Sequence, residues 1–310
     1  MSRGDLTEAE WRVLKGLLPI EPENRGRGRP PEQNRSIING ILWRLRCGAP
    51  WRDVPPKYGS WNTIYRRFRR WSEAGVWETV AVTLAEVMAD SGHYSIDSTT
   101  VRAHVSAAGG KGGLIDALLA ARGAGSPVNH CLADALGRPL AFHLTVGEAA
   151  DCKAYEALID LPERAPDALL ADKGYDADAI RTDLAERNIK VVIPGRSNRR
   201  VKIEHDRALY KQRNRIERMF GHLKINRAIA TRYDQLASSF LGMVHLATAR
   251  TGSNLSTPPR KCDKSKAYRV SSGSTFSRKA IGGKIANLYG RGLCQNSAIF
   301  RRFRGGLGLQ

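Results

Sequence analysis

Two hydrophobic periods divide the chain. Up to about residue 90 the apolar positions recur every three to four residues, as on amphipathic helices; from about residue 92 they form short alternating or continuous runs, as in strands. Leu6-Thr7-Glu8-Ala9-Glu10-Trp11 marks a helix start, since Thr7 can cap the first turn, Glu10 can reciprocate and Leu6 can staple against Trp11. This helix is expected to reach Leu18 and stop at Pro19. Ile37–Arg46 is amphipathic and leads into a turn at Gly48-Ala49-Pro50-Trp51. Beyond Pro55-Pro56, Ser60–Glu73 carries Trp61, Ile64, Tyr65, Phe68 and Trp71 as one apolar stripe, with Arg66, Arg67, Arg69 and Arg70 on the remaining surface. Val76–Ala89 closes the helical part. Helix, turn and aromatic-anchored basic helix form a helix-turn-helix-like pattern, whose last helix suits a major groove; its aromatics suit a core better than base stacking.

The second period predicts strands at His93–Val101, about His130–Asp134 and Leu140–Val146, the last two joined by a turn at Gly137-Arg138-Pro139. A helix at Cys152–Ile159 follows, then a buried run ending in Ala171-Asp172-Lys173-Gly174. After it come a helix near Ala177–Arg187 and a strand at Lys190–Ile193. Three antiparallel-type strands followed by strand-helix alternation predict an α/β domain with a mixed sheet. The expected division is 1–90 helical, 91–250 mixed-sheet and 251–310 a basic tail.

Charge narrows the partner. The 310 residues carry a formal +20, which points to a polyanion and above all to nucleic acid. Arg25–Pro31 contains Arg-Gly-Arg-Pro, in which Arg27 and Arg29 suit a narrow minor groove or a solvated loop. No apolar run approaches a membrane span, and the start lacks the apolar core of a signal peptide; a cytoplasmic, nucleoid-associated protein without membrane contact is expected. Five scattered cysteines without a C-x-x-C pair indicate neither a disulfide framework nor a zinc site.

Candidate chemistry concentrates in residues 210–224. At about 100° per residue, Tyr210, Arg213, Glu217 and Lys224 fall within an arc of roughly 60°, beside an apolar arc of Ile216, Met219, Phe220 and Leu223. A carboxylate flanked by cations and a phenol suits a site that binds a metal and a phosphate backbone together; a solvated, ion-paired helix face has the same composition. Asp97 and Asp172 stand where strands are expected to end. With Glu217 they would make three oxygen donors of the kind magnesium or manganese accepts. Taken singly, an aspartate closing a strand is more often a turn former or cap.

These residues also carry a resemblance. Ser95-Ile96-Asp97-Ser98-Thr99-Thr100-Val101-Arg102-Ala103-His104, Ala171-Asp172-Lys173-Gly174-Tyr175-Asp176, Ile193-Pro194-Gly195-Arg196 and the spacing Tyr-x2-Arg-x3-Glu-x6-Lys from Tyr210 to Lys224 resemble bacterial DDE transposases of the insertion-sequence five family, over about residues 1–111 and 130–250. The resemblance implies a ribonuclease-H-like catalytic domain with Asp97, Asp172 and Glu217 as the triad, holding two Mg2+ ions for which Mn2+ can substitute. Arg213, Lys224 and Tyr210 would position phosphates. It further implies cleavage and strand transfer at terminal inverted repeats in double-stranded DNA, by a homodimer or larger synaptic assembly. A non-catalytic helix-turn-helix repressor or relic and a nuclease that cuts without joining are the alternatives.

Two segments depart from the family pattern. Gly113–Asn129 is alanine-rich where relatives carry a basic stretch. From Thr251 the chain holds twelve Lys or Arg against one acid, Asp263, and so supplies +11 of the +20. Thr251–Ser256 is what codons for the usual Tyr-Trp-Leu-Lys-Phe-Val-His read after the loss of one base. A frameshift at Arg250, and a compensated one at 113–129, would leave this copy impaired; a genuine basic DNA-binding tail is the competing explanation.

Overall fold

The first helix begins where its cap is written. In the computed structural model, which describes residues 4–19, 33–88, 92–107, 127–145, 151–162 and 164–252, the Thr7 hydroxyl accepts from the Glu10 amide at 3.2 Å, and the Thr7 amide donates to Glu10 Oε2 at 2.7 Å. This helix, α1 (Glu8–Lys15), stops short of the expected Leu18. Gly16 ends it, and the amides of Leu17 and Leu18 both turn back to the Leu14 carbonyl. Next, α2 (Asn34–Cys47) is closed by Gly48 at φ 66°, left-handed backbone that glycine adopts without penalty. Helix α3 (Trp61–Glu73) buries Ile64, Phe68 and Trp71, but Trp61 lies outside the core with the Arg52 guanidinium 5.6 Å above its ring. Helix α4 (Val76–Met88) follows.

The strands then arrive in the expected order: β1 (His93–Thr100), β2 (Arg102–Ala103), β3 (Val128–Ala133) and β4 (Pro139–Thr145). Helix α5 (Tyr155–Ile159), β5 (Ala168–Leu170), α6 (Asp178–Glu186) and β6 (Lys190–Val192) alternate after them. The main sheet has the order β4-β3-β1-β5-β6, antiparallel where β3 meets β4 and β1, parallel from β1 through β5 to β6. This is the mixed sheet that the strand-helix alternation implied. Closing the chain are α7 (Arg207–Tyr210), α8 (Asn214–Lys224), α9 (Arg227–Ala230), β7 (Thr231–Arg232), which pairs with β2, and α10 (Ala237–Gly252).

Burial ties the two halves of the sequence together. One apolar cluster contains Ile37, Ile41, Phe68 and Trp77 from the early helices, Ile216, Phe220 and Leu223 from α8, Phe240 and Val244 from α10, and Cys131 and Phe142 from the sheet. The opposite sheet face packs Ile96, Leu132 and Leu169 against Leu158 of α5 and Leu184 of α6. Helix α10 approaches the α3–α4 corner through Gly242, where a Cβ would lie 2.4 Å from Ser72 Oγ. Helix α2 reaches the segment after β7 by a buried ion pair: Arg44 Nη1 and Nη2 donate to Asp234 Oδ2 and Oδ1 at 2.9 and 3.1 Å. Among the described residues no helix is long and apolar enough to cross a membrane.

The core also carries a titratable group. His245 of α10 is buried with its ring 5.6 Å from that of Phe142, and burial lowers its pKa to about 4. The unfolded chain takes up this proton below about pH 6.5, and the folded chain resists doing so down to about 4. Stability from this residue is therefore complete above pH 6.5 and declines as pH falls towards 4. Between pH 6.5 and 5 the parent protein should lose about 1.5 kcal/mol more than His245→Phe in paired urea titrations. Equal losses would show that His245 titrates normally in the fold.

Candidate active site

Asp97 lies where β1 outruns its parallel neighbour. The β1–β5 register stops at Ser95 opposite Leu170, while antiparallel pairing with β3 carries β1 on to Thr100. Asp97 and Asp172 each stand two residues past that last parallel pair. Asp172 is thus beyond a strand end, as expected, whereas Asp97 sits inside a strand that has lost one neighbour. An opening between diverging strands is where an α/β sheet places ligand-binding groups.

The helical signature needs a correction in its first part. Residues 210–224 are not one α-helix: α7 ends at Tyr210, Lys211–Arg213 form a 3-10 turn, and α8 starts at Asn214. A 3-10 turn advances roughly 120° per residue, so these three residues complete about one full circle and Arg213 stays on the side of Tyr210, which acts on its charge. From Arg213 onward the spacing holds, and Ile216, Met219, Phe220 and Leu223 are buried as the pattern required.

Arg213 joins two of the acids. Its Nη2 lies 2.7 Å from Asp97 Oδ1, and its Nη1 donates to Glu217 Oε1 at 2.8 Å. Burial pushes the Asp97 carboxyl upward, the nearby Asp172 adds to that, and Arg213 with the Ser98 amide opposes it without reversing it. Asp97 is therefore a carboxylate still short of positive charge. Burial also works against the charge of Arg213, yet Asp97 outweighs it and holds the guanidinium protonated. Lys224 reaches the same strand, donating to Thr99 Oγ1 at 2.6 Å and to the Thr100 carbonyl at 3.2 Å. Tyr210 packs on the β5–β6 face near Leu170 and Val192, its ring edge-on to His205 at 5.2 Å.

Asp172 is held by its own turn. Its Oδ1 accepts from the Gly174 amide at 2.7 Å, an aspartate capping the 3-10 turn Lys173–Tyr175. The Ile193-Pro194-Gly195-Arg196 segment clamps this turn: Arg196 donates to the carbonyls of Lys173 and Gly174 at 3.1 and 2.9 Å. Asp176 completes the clamp, accepting from Arg181 at 2.8 Å, from Arg199 at 2.6 and 2.9 Å, and from the Arg196 amide at 2.7 Å. Burial works the other way, but these donors hold the Asp176 carboxyl well below the usual range.

Sequence spacing did not single out Asp151, Ser98, His130 or Tyr175. Ser98 joins Asp97 to Asp151, its amide donating to Asp97 Oδ1 at 2.9 Å and its hydroxyl to Asp151 Oδ1 at 3.1 Å. His130 sits between the Tyr175 hydroxyl at 3.0 Å and the Thr145 hydroxyl at 2.8 Å. Burial, with His143 nearby, lowers its pKa to about 4, so it is neutral at ordinary pH. The Asp-Cys-Lys-Ala start of a helical segment was the only trace of Asp151, and helix starts commonly carry an acid for capping alone.

Three oxygen-donor acids fit a hard divalent cation by chemistry. As the side chains stand, no three His, Cys, Asp or Glu among the described residues are grouped to hold one, and Arg213 lies between Asp97 and Glu217. One feature favours the fit. A Cβ on Gly174 would stand 2.8 Å from Asp172 Oδ1, so only glycine keeps that side of the carboxylate open.

Of the other basic residues, Arg66 and Arg70 on α3 are exposed, Arg69 pairs with Glu73 at 2.8 Å, and Arg67 is engaged with Asn34 and the Trp71 ring. Arg27, Arg29, most of Gly113–Asn129 and the tail beyond residue 252 lie outside the described residues.

Residues 89–251 match the family described as "Transposase DDE domain", and residues 6–81 match "Putative transposase of IS4/5 family". The chain is 38% identical over 106 residues to "Uncharacterized protein y4sN" of Sinorhizobium fredii, covering 34% of this chain and 82% of that one. It is 35% identical over 112 residues to "Insertion element IS402 uncharacterized 16.2 kDa protein" of Burkholderia cepacia, covering 33% and 76%. Over 122 residues it is 36% identical to "Putative transposase for insertion sequence element IS6501" of Brucella ovis, covering 39% and 92%.

Proposed function

The chain belongs to the DDE transposases of the insertion-sequence four/five type, and from that premise we propose that it cuts and joins DNA at its element's terminal inverted repeats, with Asp97, Asp172 and Glu217 as the catalytic carboxylates. The observation that carries this reading is the Arg213 guanidinium held between Asp97 and Glu217, in a site where Asp97 also feels Asp172. The strand order β4-β3-β1-β5-β6, with one acid on β1, one just after β5 and a third on α8, supports a ribonuclease-H-like domain. Asp97, Asp172 and Glu217 would hold two Mg2+ ions, or Mn2+ in their place. Bound there, such ions supply Lewis-acid stabilisation of the attacking and leaving oxygens at phosphorus.

The chain's own groups do the rest. Asp97 is fixed by the Ser98 amide, and Asp172 by the clamped turn, so neither has to be ordered when DNA arrives. Arg213 exchanges its carboxylates for a backbone phosphate, a charge-assisted contact that its planar fork suits. Lys224 holds a second phosphate beside Thr99, and Tyr210 orients a third. Water first attacks the phosphodiester and frees a 3′ hydroxyl; that hydroxyl then attacks target DNA in the same site. Two ends must be joined, which calls for a homodimer or a larger assembly.

The early helices, residues 1–90, are proposed to bind the terminal repeat as a helix-turn-helix-like unit, with α3 in the major groove and Arg27 and Arg29 in the minor groove. The exposed Arg66 and Arg70 are the observation behind this; Arg67 is too occupied to serve as a clean probe. Full-length protein without metal should bind duplex DNA with a steep salt dependence. Arg66→Glu with Arg70→Glu should lower that slope by about 2, near 0.9 per lost contact, with no change in melting temperature. An unchanged slope would remove α3 from the interface.

A strand-transfer assay on the element's own end DNA tests the reading as a whole. We also hold that this copy is impaired by its segments at 113–129 and 251–310. A chain with both segments restored to the family pattern should join DNA better than this one, and equal activity would show that the two segments are functional variants. A non-catalytic repressor remains the second reading, distinguished by binding without any metal-dependent cleavage.

A further inference from the structure

We propose that His104, with Arg102 and Arg227 beside it, forms a phosphate-binding patch that holds the DNA strand next to the reacting phosphodiester. The proposal rests on the reading of Lys224 as a phosphate-holding group. His104 closes the Ser95–His104 motif without a part in the proposed chemistry. The β2–β7 register sets Arg102 beside Thr231 and Ala103 beside Arg232, and the His104 amide extends it by donating to the Arg232 carbonyl at 2.9 Å. His104 thus falls beside Tyr233, their ring centres 5.0 Å apart, and shares a strand face with Arg102.

An exposed side chain is ordinarily free to rotate, but this one is held by three contacts. The Ser106 amide donates to its Nδ1 at 3.2 Å, the Ser106 hydroxyl lies 2.9 Å from the same nitrogen, and the Tyr233 ring packs against it. Gln235 Nε2 anchors the turn by donating to the Ser106 carbonyl at 3.4 Å. A ring nitrogen that accepts an N–H cannot carry the proton of a neutral imidazole, so that proton sits on Nε2. Nε2 has no partner among the described residues, and the side chain is exposed. The result is a fixed N–H donor whose rotational freedom is lost before any acceptor arrives.

The surroundings select the acceptor. Arg102 and Arg227 are exposed, and neither has an acidic partner among the described residues. A Cβ on Gly48 would lie 3.0 Å from Arg227 Cβ and 3.2 Å from Tyr233 Cε2, so Arg227 rises from the spot against which the Tyr233 ring rests. Asp234, next to Tyr233 in sequence, is taken up by its pair with Arg44. Two unpaired cations and a fixed N–H donor suit a phosphodiester oxygen. Lys224 sets the distance to the chemistry, since it donates to the Thr100 carbonyl at 3.2 Å, just before β2. The four steps from Thr100 to His104 span at most about 14 Å. A DNA strand rising roughly 3.4 Å per phosphate covers that length in about four phosphates.

The test measures binding of full-length protein to duplex element-end DNA without metal. Each phosphate within about four of the cleaved bond is replaced in turn by a neutral methylphosphonate. At least one replacement should weaken parental binding about fivefold, the worth of a lost hydrogen bond. His104→Ala should lose that sensitivity at one position and keep it at the others, because the pair is then broken from the protein side already. A parent that binds end DNA no tighter than random DNA sinks the reading of the chain, and this proposal with it. A parent that prefers end DNA, beside a His104→Ala chain with the same sensitivity at every phosphate, overturns the patch alone. Melting temperature checks that His104→Ala folds. Should it fail to fold, Arg102→Gln with Arg227→Gln decides: a salt slope lower by about 1.8, near 0.9 per lost contact, is expected, and an unchanged slope overturns the patch.

Discussion

Asp97→Asn is expected to reduce DNA cleavage and strand transfer by at least about a thousandfold, equivalent to roughly 4 kcal/mol of transition-state stabilisation. The substitution is nearly isosteric. The amide oxygen can still accept from the Ser98 amide and from Arg213, so the buried contacts at 2.9 and 2.7 Å have a partner in the variant. What is lost is the negative charge, at a carboxylate whose burial already leaves it short of positive charge. DNA binding should persist or strengthen, since removing a negative charge beside a phosphate path lowers repulsion. Glu217→Gln should give the same pattern with little change in stability, because Glu217 is the most exposed of the three acids. A variant at Asp97 that retained a tenth of parental strand transfer would remove it from the chemistry.

Asp234→Asn should be among the most destabilising single changes, at about 3 kcal/mol. Arg44 and Asp234 form a two-pronged pair with side chains 3% and 9% exposed, and Arg44 Nε has no hydrogen-bond partner to fall back on. Removing one partner leaves a buried guanidinium uncompensated except by the Trp51 ring 4.9 Å away. At roughly 2–4 °C per kcal/mol for a domain of this size, the melting temperature should fall by about 6–12 °C. Replacing both residues, Arg44→Met with Asp234→Leu, should recover most of the loss. A single variant melting within about 1 °C of the parent would mean the pair is solvated in solution.

The order of elements was legible in the sequence because burial follows period. Ile64, Phe68 and Trp71 are spaced for one helix face and are buried; Thr7 and Glu10 cap as their spacing requires. Ends were less legible, since Gly16 stops α1 before Pro19 can. Candidate acids were visible through their resemblance to a known pattern, and Arg213 to Glu217 through helical spacing. The 3-10 turn at Lys211–Arg213 was not, because a change from 3.6 to 3.0 residues per turn leaves no mark in composition. Asp151 was invisible for a different reason. Its hydrogen bond comes from Ser98, 53 residues away, and only the crossing of the chain over β1 brings the two together. The shared core of the early helices with α8 and α10 likewise depends on contacts across the whole sequence, which periodicity within each helix does not report.

The most direct test of the catalytic carboxylates is a crystal structure of the full chain with Mn2+ and element-end DNA, phased to show manganese by anomalous scattering. Manganese is expected at about 2.1–2.3 Å from oxygens of Asp97 and Asp172, with Glu217 facing the same cluster and Arg213 turned from its carboxylates to a DNA phosphate. Manganese bound elsewhere, with Arg213 still between Asp97 and Glu217 while DNA lies cleaved, would contradict this expectation.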